Sequence, residues 1–493
     1  METTAATTKV VAPFAERSRV HLLDVSTFDL LDSYDLMDGE EACCVAAVSG
    51  PGIVRGDAAA EYPELLVVGT AHVREGGEEP TSGRILVFAV DPERRTLRRV
   101  ASRTVRQAVY AATGTVAMGH HESDPEGGNA VDRKATETAT ETEMRLRVGP
   151  GDGGHGGGPP SRSGCGSAAT DMTTTAATTT TGYLVVTVGA KIYLCSLVPA
   201  TGGGESLEIK LRAGRSGHEL SLYLDACRDK VLVGDIMRSI SVYEIKETQT
   251  GTTNTNTNTN TTNTTNNATT NTNTNTNTSV PPAGERTTTI GVATTRASAS
   301  NPEVSLETRA IDYQTGWPVS VSLLRDQQRA MYADTLGNLW VMSWGADDAP
   351  ADVRLRLKVN ACMGWSQTIN RIRRGGLVAK HPESALVHVD TYLLGSVCGA
   401  VSAVICLPAK AYTTLRALQD KMKALPGTGN LSHSAWRDVT TDRRVTPHTG
   451  IIDGDLVEGF LDLPTEVQER IAREALVEVG EVRQLLDELV CMH

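Results

Sequence analysis

Short apolar segments recur in pairs along much of the chain, and a glycine lies at the end of the first segment of each pair. Apolar runs of this length, bounded by glycine, predict β-strands that are joined as antiparallel hairpins. The paired segments are 65–69 with 84–90, 183–189 with 191–198, 231–234 with 240–245, 331–337 with 339–344, and 392–395 with 401–407.

The glycines of these pairs are Gly69, Gly189, Gly234, Gly337 and Gly395, and we interpret them as hairpin turns that require a positive φ. Once two stretches without aromatic residues are set aside, their spacings are 48, 45, 34 and 58 residues. These values straddle the ~40–50-residue period of a β-propeller blade. The pattern predicts a mainly β fold, a WD40-like β-propeller of about six blades, with a β-sandwich as the alternative.

The apolar pattern changes to helical spacing after Pro408, which predicts a small C-terminal α-helical domain. We expect Asp462 to cap one of its helices and Gly480 to separate the last two. The apolar stripes of the three predicted helices are Leu415, Leu418, Met422 and Leu425; Val467, Ile471 and Ala475; and Val482, Leu485, Leu486 and Leu489.

Two low-complexity segments interrupt the predicted strands, at about 119–182 and 248–300. From Thr248 to Thr278, 28 of 31 residues are Thr or Asn, and such a segment cannot bury enough apolar surface to offset the entropy of ordering it. We therefore expect two long disordered insertions. The predicted organisation is a disordered N-terminus at 1–18, a propeller at 19–409 and the helical domain at 410–493.

The composition excludes several classes of protein. A formal net charge of −12 disfavours binding to nucleic acid through bulk charge, so we expect nucleic acid only through a partner complex. No apolar run approaches the ~20 residues that span a bilayer, and the N-terminus shows no signal peptide, so no membrane association is expected. The nine cysteines show no Cys-x-x-Cys spacing.

The candidate chemical motifs give little support to a dinucleotide, metal or acid–base site. Gly151-x-Gly153-x-x-Gly156 lies in a Gly/Pro tract and lacks the strand and helix that a dinucleotide site requires. His120-His121 has no further metal ligand at suitable spacing. Asp453-Gly454-Asp455 fits a turn and a helix start better than an acid–base pair. We therefore expect no enzyme, no catalytic residues, no cofactor and no metal.

Several strings, taken in order, resemble the C-terminal part of the damaged-DNA-binding protein 1 family. Its relatives are the large subunit of the cleavage and polyadenylation specificity factor and the propeller subunit of splicing factor 3b. The strings are VGTA at 68–71, EEP at 78–80, GRILVF at 83–88, residues 105–110, LYL at 222–224, VGDIMRS at 233–239, NLSHSAWR at 430–437 and IDGDLVEGFLD at 452–462.

This resemblance implies the third propeller and the helical domain of a three-propeller adaptor for cullin 4–RING ubiquitin ligases. Such a protein works in DNA repair and protein ubiquitination, in the nucleus and also in the cytoplasm, and binds substrate-receptor proteins. The cullin-docking propeller has no counterpart in this chain, so weak or absent cullin binding is expected. The alternative is a nucleic-acid-binding scaffold subunit of a pre-mRNA cleavage and polyadenylation or splicing complex, which the two C-terminal strings disfavour.

The resemblance also places five residues on the receptor-binding surface, namely Leu222, Tyr223, Arg238, Trp317 and Asn370. Large aromatic side chains and Arg are typical of binding hot spots. Two alternatives remain open from the sequence. Leu222 and Tyr223 would be ordinary strand residues if their side chains face a core. Independently, Trp317 would be a core residue whose loss destabilises the fold if its side chain is buried.

Overall fold

The computed structural model describes residues 17–117, 181–248, 303–425 and 432–492, apart from positions 51, 74–78, 92, 203–204, 327, 347, 379–383, 385 and 387. The N-terminal segment before 17 and almost all of both predicted insertions lie outside the described residues. So do His120-His121, the glycine motif at 151–156, and positions 430–431 of the C-terminal string. Strand pairing begins again at Thr181, one residue before the predicted end of the first insertion at 182.

A two-stranded hairpin comes first, followed by five antiparallel sheets, and each sheet follows the chain order. The hairpin is β1 (Arg19–Leu23) and β2 (Leu30–Asp35). Blade 1 is β3 (Glu40–Ser49), β4 (Glu64–His72), β5 (Gly83–Asp91) and β6 (Thr96–Val105). Blade 2 is β7 (Val109–Ala117), β8 (Thr181–Val188), β9 (Lys191–Pro199) and β10 (Leu207–Ser216).

The next two blades also have four strands each, and the last has three. Blade 3 is β11 (Ser221–Cys227), β12 (Lys230–Asp235), β13 (Ser239–Thr248) and β14 (Glu303–Ile311). Blade 4 is β15 (Pro318–Leu323), β16 (Arg329–Asp334), β17 (Asn338–Ser343) and β18 (Lys358–Gly364). Blade 5 is β19 (Ile369–Arg374), β20 (Thr391–Ser396) and β21 (Val401–Ile405).

The first strand of each blade contacts the first strand of the next, so that β3, β7, β11, β15 and β19 lie side by side. This arrangement confirms the predicted β-propeller and excludes the β-sandwich. The expected six blades are wrong for the described residues, which form five. The difference arises because the β1–β2 hairpin packs against blade 1 without forming a blade of its own, and many blade strands are nine or ten residues long.

Two glycines occupy turns as predicted, but three do not. Gly189 and Gly337 have positive φ angles of 56° and 76°. Gly69, Gly234 and Gly395 instead lie within β4, β12 and β20. A Cβ at Gly69 would come within 2.5 Å of Val109 Cγ1 and 2.6 Å of Cys44 Sγ. That glycine is required because β4 packs closely against β3 and against the inner strand β7 of blade 2, so the turn interpretation is wrong there.

The core consists of apolar layers between adjacent blades. Leu232 and Val242 of blade 3, for example, pack in one cluster with Tyr332 and Met342 of blade 4. All four side chains are almost fully buried. Burial of apolar surface stabilises a fold by about 25 cal/mol per Å², so these layers contribute most of the free energy that stabilises the packing of neighbouring blades.

After the blades, short helices form a separate apolar cluster. One helix, α1 (Ala351–Arg354), lies within blade 4 and outside this cluster. The helices after the blades are α2 (Ala409–Met422), α3 (His433–Arg437), α4 (Gly454–Glu458), α5 (Thr465–Ala475) and α6 (Val479–Val490). A two-residue pair, β22 (Val439–Thr440) with β23 (Val445–Thr446), lies between α3 and α4. The cluster contains the predicted Leu415, Leu418, Ile471 and Leu486, which confirms the helical spacing.

Two details of the helical prediction are wrong. Pro464, not Asp462, occupies the N-cap of α5, without a side-chain cap hydrogen bond. Gly480 lies in the first turn of α6, and the chain turns instead at Leu476, which has a positive φ of 57°. The division into a propeller at 19–409 and a helical domain at 410–493 remains a prediction, because segment 432–449 also contacts blade 4.

A buried ion pair fixes the segment that follows α2. Arg437 donates two hydrogen bonds to Asp453, from Nε (2.7 Å) and from Nη2 (2.9 Å), and a third to Asp455 (3.0 Å). Arg437 and Asp453 are only 7% and 4% exposed. Burial alone would raise the pKa of Asp453, but the hydrogen bonds and charge of Arg437, helped by His433, lower it. The pair therefore holds α3 against the start of α4.

The same site predicts a loss of stability on mild acidification. Burial lowers the pKa of His433. Asp453 opposes this shift, and His448, whose ring centroid is 4.9 Å away, reinforces it. Because the folded chain then binds a proton less readily than the unfolded chain, stability falls as the pH drops below ~6.5. We expect the free energy of unfolding to decrease between about pH 7.5 and about pH 5.5.

A His433→Gln variant should show a flatter dependence over this range, measured by chemical denaturation at both pH values. His21→Gln, at an exposed position on β1, is the matched control and should keep the parental slope. Equal slopes in His433→Gln and the parent would show that His433 does not couple protonation to folding.

Candidate partner-binding face

All five predicted site residues lie on one side of the blades. The first strand of each blade is its inner strand, and the turn between the second and third strands lies at the end of the blade where the inner strand begins. We call this side of the blades the N face. In blades 3–5 it is formed by the turns 235–239, 312–317, 334–338 and 365–370. Arg238 and Trp317 lie in two of these turns, and Leu222, Tyr223 and Asn370 lie at the starts of β11 and β19.

Asp235 organises the turn that carries Arg238. Its carboxylate is fully buried, and it accepts hydrogen bonds from the backbone N–H groups of Met237 and Arg238 at 2.9 Å. The other carboxylate oxygen accepts from the N–H groups of Glu219 (2.8 Å) and Leu220 (3.0 Å). One aspartate thus ties the β12–β13 turn to the loop before β11, and the backbone of Arg238 is held in place.

The Arg238 guanidinium lies across these two loops. It donates to the carbonyl oxygen of Gly217 (2.6 Å) and to the Glu219 carboxylate (2.9 Å). Both charged side chains remain more than half exposed. Arg238 is therefore oriented and also available to an approaching partner.

The next turn along the face places Trp317 beside this loop. The carbonyl oxygen of Gly316 accepts a hydrogen bond from the N–H of Ser239, the neighbour of Arg238, and the carbonyl oxygen of Trp317 accepts one from Thr335. The side chain of Trp317 is 49% exposed. A core placement of Trp317 is therefore excluded, and the structure brings the Arg238 and Trp317 turns together.

The remaining predicted residues share a structural position. Every inner strand contains a register shift just after its first residues, and the extra residue is Leu222 in blade 3 and Asn370 in blade 5. Such β-bulges redirect side chains and are frequent next to functional sites. Asn370 is exposed and Leu222 is half-buried. The equivalent residues in blades 1, 2 and 4 are Cys43, Tyr110 and Val319.

Tyr223 has a mixed environment. It is half-buried, packs against the apolar layer between blades 3 and 4, and burial raises its pKa. The prediction that it contributes to binding therefore competes with a packing role, and the same holds for Leu222. Arg238, Trp317 and Asn370 are the more accessible members of the set.

Further exposed apolar side chains surround the two central residues. Met237 (61% exposed), Tyr313 (64%) and Leu336 (49%) all lie in the N-face turns. Exposed apolar and aromatic groups close to an arginine are typical of a protein-binding surface. Together they suit contact with another protein.

The sequence did not identify His218, a buried residue that supports the Asp235 turn of the N face. His218 is 8% exposed, its Nε2 lies 2.7 Å from the Tyr243 hydroxyl, and its Nδ1 lies 3.4 Å from Asp235. The signal was present, because Gly217-His218 forms the Gly-His pair typical of WD40 blades. Burial raises the pKa of Asp235, but His218 and the backbone N–H groups of the turn outweigh it and lower that pKa to about 2.

The described residues contain no group of three or more His, Cys, Asp and Glu placed to hold a metal ion. Within that same part of the chain, no helix is long and apolar enough to cross a membrane.

Comparison with known proteins supports the resemblance seen in the sequence. The family model described as the CPSF A subunit region matches residues 17–116 and 298–462, more than half of the chain. DNA damage-binding protein 1b of Arabidopsis thaliana is 26% identical over 98% of the chain, an alignment that covers 32% of that protein.

Two further relatives give the same result. DNA damage-binding protein 1 of Solanum lycopersicum is 25% identical over 96% of the chain, and that of Oryza sativa is 25% identical over 97%; each alignment covers 32% of the relative. The chain thus spans about a third of the length of these relatives. It belongs to the CPSF A subunit family, as a member that resembles DNA damage-binding protein 1.

Proposed function

We propose that this chain is a non-catalytic scaffold that holds another protein on the N face. The observation that carries the proposal is the placement of the exposed Trp317 and Arg238 on two hydrogen-bonded turns, of which the Arg238 turn is fixed by the buried carboxylate of Asp235. Pre-organised aromatic and arginine side chains lose little entropy on binding and are therefore efficient anchors.

The proposed partners are substrate-receptor proteins of a cullin 4 ubiquitin ligase, and the proposed setting is DNA repair and protein ubiquitination in the nucleus. The similarity to DNA damage-binding protein 1 over nearly the whole chain supports this choice. Cullin binding by this chain alone is proposed to be weak. A pull-down with the full chain from nuclear extract should recover ligase receptors; recovery of pre-mRNA-processing factors instead would favour the alternative scaffold function.

Trp317→Ala should weaken receptor binding by about 2 kcal/mol or more, because a large aromatic anchor at the centre of an interface contributes this much. The melting temperature should hardly change, since the side chain is already half exposed. Receptor affinity and thermal stability should be measured on the same preparation of the full chain.

Phe28→Ala is the matched control for this experiment. Phe28 is 75% exposed and lies in the turn between β1 and β2, outside the N-face turns. Its loss should leave receptor affinity unchanged. Equal affinity losses in the two variants, or a lower melting temperature with unchanged affinity in Trp317→Ala, would remove Trp317 from the binding surface.

A further inference from the structure

A basic cleft lies between blades 1 and 2, away from Trp317. Its volume is about 240 Å³, and it is bounded by the end of β6, the link from β6 to β7, and the start of β9. The apolar residues that line it are Ile85, Val105, Val188, Tyr193, Cys195 and Leu211. A space of this size is smaller than the ~300–1,000 Å³ of typical cofactor sites, so it suits a small chemical group.

Three cationic side chains line this cleft, namely Arg103, Arg106 and Lys191. None of the described residues that line it is Asp or Glu. The nearby carboxylate of Glu205 is engaged elsewhere, because it accepts two hydrogen bonds from Ser102 and pairs with Arg99 at 3.2 Å. In a chain with a net charge of −12, three clustered cations without a lining carboxylate favour an anionic ligand.

One of the three cations is held in position across the two blades. The Arg103 side chain donates from Nη1 to the carbonyl oxygen of Ile209 on β10, at 2.6 Å. Arg106 and Lys191 form no ion pair with a carboxylate in the part of the chain that the structure describes, and both are exposed. The cleft thus combines one fixed guanidinium with two free cationic groups.

The amide of Gln107 also lines the cleft and lies next to a glycine. The side-chain amide of Gln107 packs against Gly189, where an added Cβ would come within 2.3 Å of the Gln107 Oε1 atom. Gly189 also has a positive φ of 56°. The glycine therefore leaves room for Gln107 at the wall, where its amide and the Thr104 hydroxyl add polar groups to the cleft.

We propose that this cleft binds a phosphate monoester group. A phosphate monoester carries close to two negative charges at neutral pH and presents three strong acceptor oxygens, which matches two guanidinium groups and one ammonium group. A carboxylate offers one charge and two oxygens and would leave part of this set unused. The phosphate would come from a small phosphorylated molecule or from a phosphorylated side chain of a protein.

The test is calorimetric titration of the full chain with inorganic phosphate, at constant ionic strength maintained with chloride. Arg106→Gln and Lys191→Gln should each weaken phosphate binding by about tenfold, because each removes one charged donor. Arg94→Gln is the matched control: it removes the same charge from the turn at the far end of β6 and should change affinity less than about twofold.

A phosphoserine peptide and its unphosphorylated form distinguish the two sources. Tighter binding of the phosphopeptide than of inorganic phosphate would assign the site to a modified protein, and the reverse order would assign it to a small molecule. The proposal would be overturned if the chain did not bind phosphate. It would also be overturned if Arg106→Gln, Lys191→Gln and Arg94→Gln all kept the parental melting temperature and lost phosphate affinity equally.

Discussion

The Arg437→Met variant should unfold with a free energy lower by about 3–5 kcal/mol than the parent chain. Removing the guanidinium leaves the Asp453 carboxylate buried and without its bidentate partner, while the methionine fills part of the vacated space. An uncompensated buried charge is among the most destabilising features that a single substitution can create. The measurement is urea or guanidinium denaturation of the full chain.

The exposed ion pair between Arg17 and Asp38 provides a matched control. Its side chains are 54% and 73% exposed, so Arg17→Met should lower the free energy of unfolding only slightly. An Arg437→Met variant as stable as Arg17→Met would contradict the buried placement of the pair.

A double variant separates the charge from the packing. Replacing Arg437 with Met and Asp453 with Leu removes both charges together, and we expect it to recover much of the lost stability, since apolar replacement of a whole buried pair is often nearly neutral. If the double variant is as unstable as the single one, the loss arises from contacts of Arg437 with Trp365 and Trp436 rather than from the unpaired carboxylate.

The blades were predictable because their signal is local. Apolar strands of the right length, separated by polar turns, determine hairpins through neighbouring residues alone. The prediction failed where packing between blades decided the outcome. Gly69 reads as a turn residue in the sequence, yet it is required by Val109, forty residues further along the chain.

The N face likewise could not be predicted from local sequence, because packing between blades forms it. Arg238 and Trp317 could be proposed only through resemblance to a family, because nothing in the local sequence shows that their turns meet at the Gly316–Ser239 hydrogen bond. The basic cleft was not predictable at all, since Arg106 and Lys191 lie 85 positions apart and approach only because two blades pack side by side. Strand pattern determines each blade, and the packing of neighbouring blades determines which loops form a common surface.

The second large effect is expected at Asp235. Asp235→Ala should lower the free energy of unfolding by about 3 kcal/mol, because four backbone N–H groups lose their acceptor at once and each unmet donor costs about 1–3 kcal/mol when water cannot reach it. Two of these donors belong to the turn that carries Arg238. Receptor binding should therefore weaken as well, even at temperatures where the variant is fully folded.

Asp326→Ala is the matched control. Asp326 accepts the same kind of turn hydrogen bonds, from the N–H groups of Gln328 and Arg329 at 3.1 Å, but its side chain is 36% exposed and its turn lies on the opposite side of the blades. Water can replace the lost acceptor there, so the cost should be below about 1 kcal/mol. Receptor affinity should not change. Equal effects of the two substitutions would mean that Asp235 does not organise the N face.

The pH dependence gives an independent check on the same residue. The pKa of Asp235 is lowered from 3.8 to about 2 in the folded chain, so its carboxylate contributes stability at every pH above its ordinary value and loses that contribution as the pH falls toward 2. The stability difference between the parent and Asp235→Ala should therefore stay constant from about pH 8 to about pH 5 and shrink below about pH 4. This window is separate from the one in which His433 titrates, because that histidine acts near neutral pH. A difference that instead changed between about pH 8 and about pH 5 would contradict this account, because the Asp235 carboxylate stays ionised throughout that range.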